Sequence, residues 1–283
     1  MSSTALPSKT VNTKFFWIAA GAGLCAVFAP ALYHLYGAWF FDPYYSHGFV
    51  VPLVSLYLAW TFRQRLSKAD RSTERHPVFP LVASLLLYAA AFIVDFRFIM
   101  YVAFVTALGG LILYVWGSDV LKLLAFPLAY LLLMIPLPYA ITSGIAFPLQ
   151  LASSSYAALL LDLFGISALQ EGVNIYIPGF SFVIEKGCSG LHSVIALFAL
   201  AVLFAYLVKG PLRKKIFLVF SSLPIALMAN LIRIVTVIIV AQTWGTDVAE
   251  SFFHSFSSVF LFSLAFLLLI GTARFIGCLQ LKK

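Results

Sequence analysis

Apolar runs of roughly 20 residues recur along this chain, each long enough to cross the hydrocarbon core of a bilayer as a helix. This property restricts the fold more than any motif, because in lipid each backbone polar group must be satisfied by protein. Composition agrees: 63% of the 283 residues are hydrophobic and 10% are charged, far from the mix of a soluble domain. The reading is all-α, a polytopic membrane helix bundle over residues 1–283 as one domain, with no heptad array or internal repeat. The first run, 15–36, is too long for the apolar core of a cleavable signal peptide, and no clear cleavage site follows it.

The net charge of +8 invites a nucleic-acid reading, but its distribution argues against one. Eight spans are expected, at about 15–36, 47–62, 78–94, 98–116, 120–135, 188–208, 216–243 and 254–276. With eight, Lys9 and Lys14, then Arg63, Arg65, Lys68, Arg71 and Arg75, then Lys209, Arg213, Lys214 and Lys215, and finally Lys282 and Lys283 all fall on one side. The positive-inside rule makes that side cytoplasmic. Arg97 and Lys186 fall in outer loops, together with Asp42, Asp95, Asp162, Glu171, Glu185, Asp247 and Glu250. The partner implied by these basic residues is the lipid bilayer.

The outer connection 136–186 has a different character. It holds Pro136-Leu137-Pro138 and a moderately apolar stretch, 139–164, interrupted by Pro148. That stretch is expected to be a re-entrant or interfacial helical segment, since non-helical backbone at membrane depth must be covered or line a cavity. In 174–184, Ile175, Ile177, Phe180, Phe182 and Ile184 recur around Pro178-Gly179, which predicts a small outer β-hairpin.

Three polar residues stand out. Cys188 follows a glycine at the entrance of the sixth run, where the orphan N–H groups and dipole of a helix N-terminus favour a thiolate. Arg233 lies within the seventh run, about 15 Å below its outer end at the usual helical rise. His254 opens the eighth. The loop charges put all three on the outer side. A thiol nucleophile, a histidine that takes and returns a proton, and a cation beside a developing oxyanion form the minimal set for acyl transfer. Each residue also has a plain alternative: a cysteine that only packs, an arginine that anchors or snorkels, a histidine that is structural.

Other side chains gather around these. His192, four residues after Cys188, shares its helix face and competes with His254 for the role of base. Asn230, three before Arg233, is positioned to orient the guanidinium or donate to an oxyanion. His47, near Asp42 and Tyr45, reads equally as a substrate contact or a structural interface residue. Ser189 and Ser193 read as packing or capping residues. Cys25 and Cys278 lie in the first and last spans, out of reach of Cys188, and three cysteines are too few for a disulfide framework. No cluster has metal-ligand spacing, and nothing calls for an organic cofactor.

Ser46-His47-Gly48-Phe49 supplies an early signature. Phe126-Pro127-Leu128 through Met134-Ile135-Pro136-Leu137-Pro138, then Pro148-Leu149-Gln150, supply a middle one, followed by Glu171-Gly172 through Ile177-Pro178-Gly179. The most specific part is Cys188-Ser189-Gly190-Leu191, Asn230-Leu231-Ile232-Arg233 and Glu250-Ser251-Phe252-Phe253-His254. Over nearly its whole length the chain resembles the exosortase/archaeosortase family of membrane cysteine transpeptidases. It departs at His192, where the family usually has Arg, and at Ser257-Ser258, where it usually has Ser-Gly.

The resemblance implies catalytic roles for Cys188, Arg233 and His254. It implies as substrates membrane-anchored proteins with a C-terminal sorting signal, made of a short Pro-containing motif, one membrane helix and a basic end. These are cleaved through a thioester that an acceptor amine or water resolves. It also implies a Gram-negative inner membrane, a site on the periplasmic side and a link to exopolysaccharide production. Two other classes stay open: a transporter of a polysaccharide precursor, with Arg233 and the break at Pro148 lining a path, and a non-catalytic assembly component for polysaccharide export.

Overall fold

The computed structural model describes residues 13–69, 77–245, 247–249, 258–278 and 280. His254 and the beginning of the eighth expected span lie outside the described residues. The chain divides into two compact units, Met1–Ala38 with Phe49–Ile135, and Trp39–Gly48 with Pro136–Lys283.

In the first unit the expected opening span is broken. Helix α1 (Thr13–Val27) ends at Phe28, and α2 (Ala29–Phe41) leaves at 68° to it. Pro30 enters α2 in its first turn, where a missing N–H is tolerated. Phe28 is fully buried at the bend, with ring centroids 4.2 Å from Tyr88 and 5.5 Å from Phe104. Helices α3 (Val50–Thr61), α4 (Arg63–Lys68), α5 (Phe79–Ile93), α6 (Arg97–Trp116) and α7 (Ser118–Leu131) follow. The third and fourth expected spans match α5 and α6 to within a residue at each end. Gly110 lets α6 pack on the backbone of α5, since a Cβ there would meet Leu81 Cα at 2.8 Å. The second and fifth expected spans are shortened, because 3-10 turns take Pro43–Phe49 and Leu132–Met134.

In the second unit α8 (Tyr139–Leu163) runs without a break through Pro148. This corrects the interrupted segment expected from the sequence. Strands β1 (Leu169–Glu171), β2 (Asn174–Ile177) and β3 (Phe180–Val183) form an antiparallel sheet in that order, one strand more than the hairpin expected. The register pairs Ile175 with Phe182 and Ile177 with Phe180, which puts the apolar side chains on one face. Polar groups of α8 tie the sheet down: Gln150 Nε2 donates to Ile184 O at 3.0 Å, and Ser154 Oγ to Gly172 O at 2.9 Å.

Helices α9 (Leu191–Leu207), α10 (Leu212–Trp244) and α11 (Ser258–Phe275) complete this unit. Ala201, Ala205, Ala226, Ala229, Ala265 and Ala273 share a core with Leu197, Leu218 and Leu269. Small side chains allow close helix approach in lipid, where dispersion must replace the hydrophobic drive. Further along α10, Ile234, Val235 and Ile238 pack instead with Ala157 and Leu161 of α8 and with Ile175, Ile177 and Ile184 of the sheet segment.

Among the described residues, α6, α8 and α10 are long and apolar enough to cross a membrane, and the bent α1–α2 pair makes a fourth if counted as one. Helices α5 and α9 and the stretch Phe262–Phe275 are shorter apolar helices. The eight crossings expected from loop charge therefore exceed the three or four that helix length supplies.

Candidate active site

Cys188 sits in a 3-10 turn, Lys186–Cys188, and not in the helix that follows. Its N–H donates to Glu185 O at 2.9 Å. Ser189 is fully buried and its hydroxyl accepts the Leu191 N–H at 3.3 Å, which makes it a capping residue. Gly190 then turns the chain left-handed, at φ 84°, into α9. A side chain at 190 is excluded twice, by that φ and by Asn230, whose Nδ2 would lie 3.1 Å from an added Cβ.

Two polar side chains of α10 hold this turn by its carbonyls. Asn230 Nδ2 donates to Cys188 O at 2.9 Å, and an Arg233 guanidinium N–H donates to Gly187 O at 3.3 Å. Asn230 therefore serves the cysteine turn, where the sequence had offered it to the guanidinium or an oxyanion. Burial pushes the Cys188 thiol up, while the Arg233 charge pulls it down and Glu185 pushes it up. Burial wins, so the resting group is a thiol. This corrects the helix-dipole expectation, because Cys188 precedes the first turn of α9 and is 4% exposed among Ala157, Leu161, Ile184, Val235 and Ile238.

A cavity of about 560 Å³ opens beside the turn. Its polar end is lined by Pro43, Ser46, His47, Gly187, His192 and Arg233. The His192 ring hydrogen-bonds the Pro43 carbonyl. Tyr45 anchors the same 43–49 turn, its hydroxyl accepting the Leu137 N–H at 2.9 Å. Burial raises the Tyr45 phenol, which keeps it neutral.

The family model for transmembrane exosortases (Exosortase_EpsH) matches residues 39–271. The chain belongs to the transmembrane exosortase family. No curated protein and no solved structure matches it. Read with its apolar helices, membership makes this exosortase a membrane protein.

Of the six site residues expected in this exosortase, the structure gathers Cys188, His192, Asn230, Arg233 and His47 in the second unit, four of them on the cavity and Cys188 next to Gly187, which lines it. His254 lies outside the described residues. Sequence reasoning missed Gly187, whose role is carried by its carbonyl and leaves no trace in residue type. It also missed Gln150 as a sheet anchor, for which a glutamine within an apolar helix was the available signal. Among the described residues, no three His, Cys, Asp or Glu side chains group as metal ligands.

Proposed function

We propose that this exosortase is a membrane cysteine transpeptidase that cleaves C-terminal sorting signals through a thioester on Cys188. The observation that carries this reading is the convergence of Arg233 and Asn230 on the carbonyls of Gly187 and Cys188. An intramembrane arginine is retained at a cost, and here it is directed at a turn carrying a nucleophilic atom type.

The membrane placement rests on α10. Its 33 residues span about 50 Å at helical rise, whereas about 20 residues cross the hydrocarbon. Lys209, Arg213, Lys214 and Lys215 put its first turn at the cytoplasmic face. Arg233, about 31 Å further on, then stands at the outer edge of the hydrocarbon. The rest of α10 emerges to pack on α8 and the sheet, which favours α8 as an outer element although its length would allow a crossing. The reading of eight crossings with a periplasmic site rests on the loop charges and takes the shorter apolar helices as crossings too.

In the mechanism, a substrate membrane helix brings its Pro-containing motif to the cavity, and the Cys188 side chain turns towards it. His192 takes the thiol proton. Its bond to the Pro43 carbonyl uses one ring N–H, which leaves the other nitrogen of the neutral ring as an acceptor. Cys188 Sγ attacks the peptide carbonyl, and Arg233 with nearby backbone N–H groups holds the oxyanion. The C–N bond breaks as His254, protonated at the outset, gives its proton to the leaving amine. An acceptor amine or water then attacks the thioester, loses a proton to His254, and expels the thiolate, which takes back its proton from His192. The test is co-expression with a reporter carrying the motif, a membrane helix and a basic end. A shortened reporter with the wild-type chain, absent with Cys188→Ala at equal protein level, is expected. A shortened reporter that persists with Cys188→Ala would refute the reading.

A further inference from the structure

The cavity beside the cysteine turn has a second, apolar end. It is walled mainly by Ala196 and Leu197 of α9, Ala226 and Ala229 of α10, and Phe262 and Ala265 of α11, with Ser193 and Ser263 also on the lining. Ala226, Ala229, Asn230 and Arg233 recur at helical spacing on one face of α10, so the walls run about 10 Å from the arginine to Ala226. Alanines at facing positions of these three helices give this end small-residue walls, continuous with the core they share with Leu197.

Asn230 stands where the polar and apolar ends meet, and it is 2% exposed. Its Nδ2 donates to Cys188 O, and a carbonyl accepts only from the NH2 side of a carboxamide, so that bond fixes the orientation of the amide. Oδ1 is thereby an acceptor, and it is buried with no hydrogen-bond partner. An orphaned buried acceptor is costly to keep, and because Asn230 is among the residues lining the cavity, a donor entering from that side would satisfy it after a small shift of the amide.

We propose that this end of the cavity is a substrate subsite. It takes one apolar side chain of the peptide next to the scissile bond, and Asn230 Oδ1 accepts the backbone N–H of that same residue. The proposal rests on the transpeptidase reading and adds which part of the substrate the apolar end selects. A peptide N–H fits because it is a neutral donor attached to an apolar group. A hydrocarbon tail would bring Oδ1 no donor, and a cationic donor would be repelled by Arg233 one helical turn away. Asn230 thus binds substrate through Oδ1 and positions Cys188 through Nδ2.

The experiment uses the full-length purified chain and a set of reporter proteins in which each motif position is, in turn, Ala, Leu or Trp. For wild type, Leu at one position gives the lowest KM. Ala229→Leu, which fills the subsite, lowers kcat/KM for that Leu reporter about tenfold more than for the matching Ala reporter, in line with what one pocket methylene or two discriminate. Ala226→Leu gives the same selectivity from the next turn, should Ala229→Leu fail to accumulate. Asn230→Ala raises KM for all reporters and changes the rate at which Cys188 is alkylated, because its carbonyl is released. Equal losses on Leu and Ala reporters in both filling variants, or none, would overturn the subsite. Failure of the parent reading is distinct: cleavage would then survive Cys188→Ala.

Discussion

Cys188 and Cys278 flank opposite ends of α9, and they differ in company more than in burial. Both are buried, at 4% and 1% exposure. Each lies by a glycine of positive φ. Gly190 is pressed by Asn230 next to Cys188, and a Cβ on Gly210 (φ 151°) would come within 2.5 Å of Cys278 Sγ. Around Cys278 the polar groups close backbone: Lys209 N–H donates to Gln280 O at 2.6 Å, and Lys214 Nζ to Ile276 O at 2.5 Å. The lysine caps the end of α11, where Gly277 turns left-handed. Around Cys188 the polar side chains hold the turn and also line a cavity. Burial against a glycine is thus common to both cysteines. The charged, cavity-lining partner is what marks one of them for chemistry.

The largest expected effect separates the two directly. Cys188→Ala abolishes reporter cleavage, and Cys278→Ala leaves it unchanged, as read by blot at matched protein level. Next, Arg233→Gln lowers the cleavage rate by roughly 10²-fold or more, the usual consequence of losing one oxyanion donor. A smaller effect tests the electrostatics of the turn. The Cys188 thiol is raised, so its alkylation by iodoacetamide rises with pH only above the ordinary thiol range near 8.5. Arg233→Gln moves that midpoint higher, because the cation favours thiolate. Glu185→Gln moves it lower, because the carboxylate opposes it.

The glycines sharpen the same contrast. Gly190→Ala strains the turn and pushes on Asn230, lowering cleavage by about tenfold if the lost positioning resembles an ordinary misplacement of catalytic groups. Gly210→Ala lowers the thermal midpoint in detergent and leaves cleavage per folded molecule as in wild type. Lys214→Ala is the mildest change, a loss of about 1 kcal/mol or less from the end of α11, visible in the same melt.

Much of the second unit was legible in the sequence, and the reasons are local. Ile175, Ile177, Phe180 and Phe182 around Pro178-Gly179 gave the hairpin, since period-two patterning and turn chemistry act over a few residues. The cluster of Cys188, Asn230, Arg233 and His192 was legible because polar residues in apolar helices are few and costly. The bend at Phe28 was hidden, because its cause is packing against Tyr88 and Phe104, far away in sequence. The continuity of α8 was hidden for the opposite reason. Pro148 is a strong local breaker signal, and helical context overrode it. The neutral thiol was missed because the sequence could not reveal that a 3-10 turn, and not the helix, would hold Cys188.

Whether the Cys188 sulfur carries the acyl group is decided by mass spectrometry of the chain quenched during reporter cleavage. The expected result is an adduct equal to the N-terminal part of the reporter, mapped to Cys188 and released by hydroxylamine as a thioester is. Ongoing cleavage with an unmodified Cys188, or an adduct on any other residue, would contradict it.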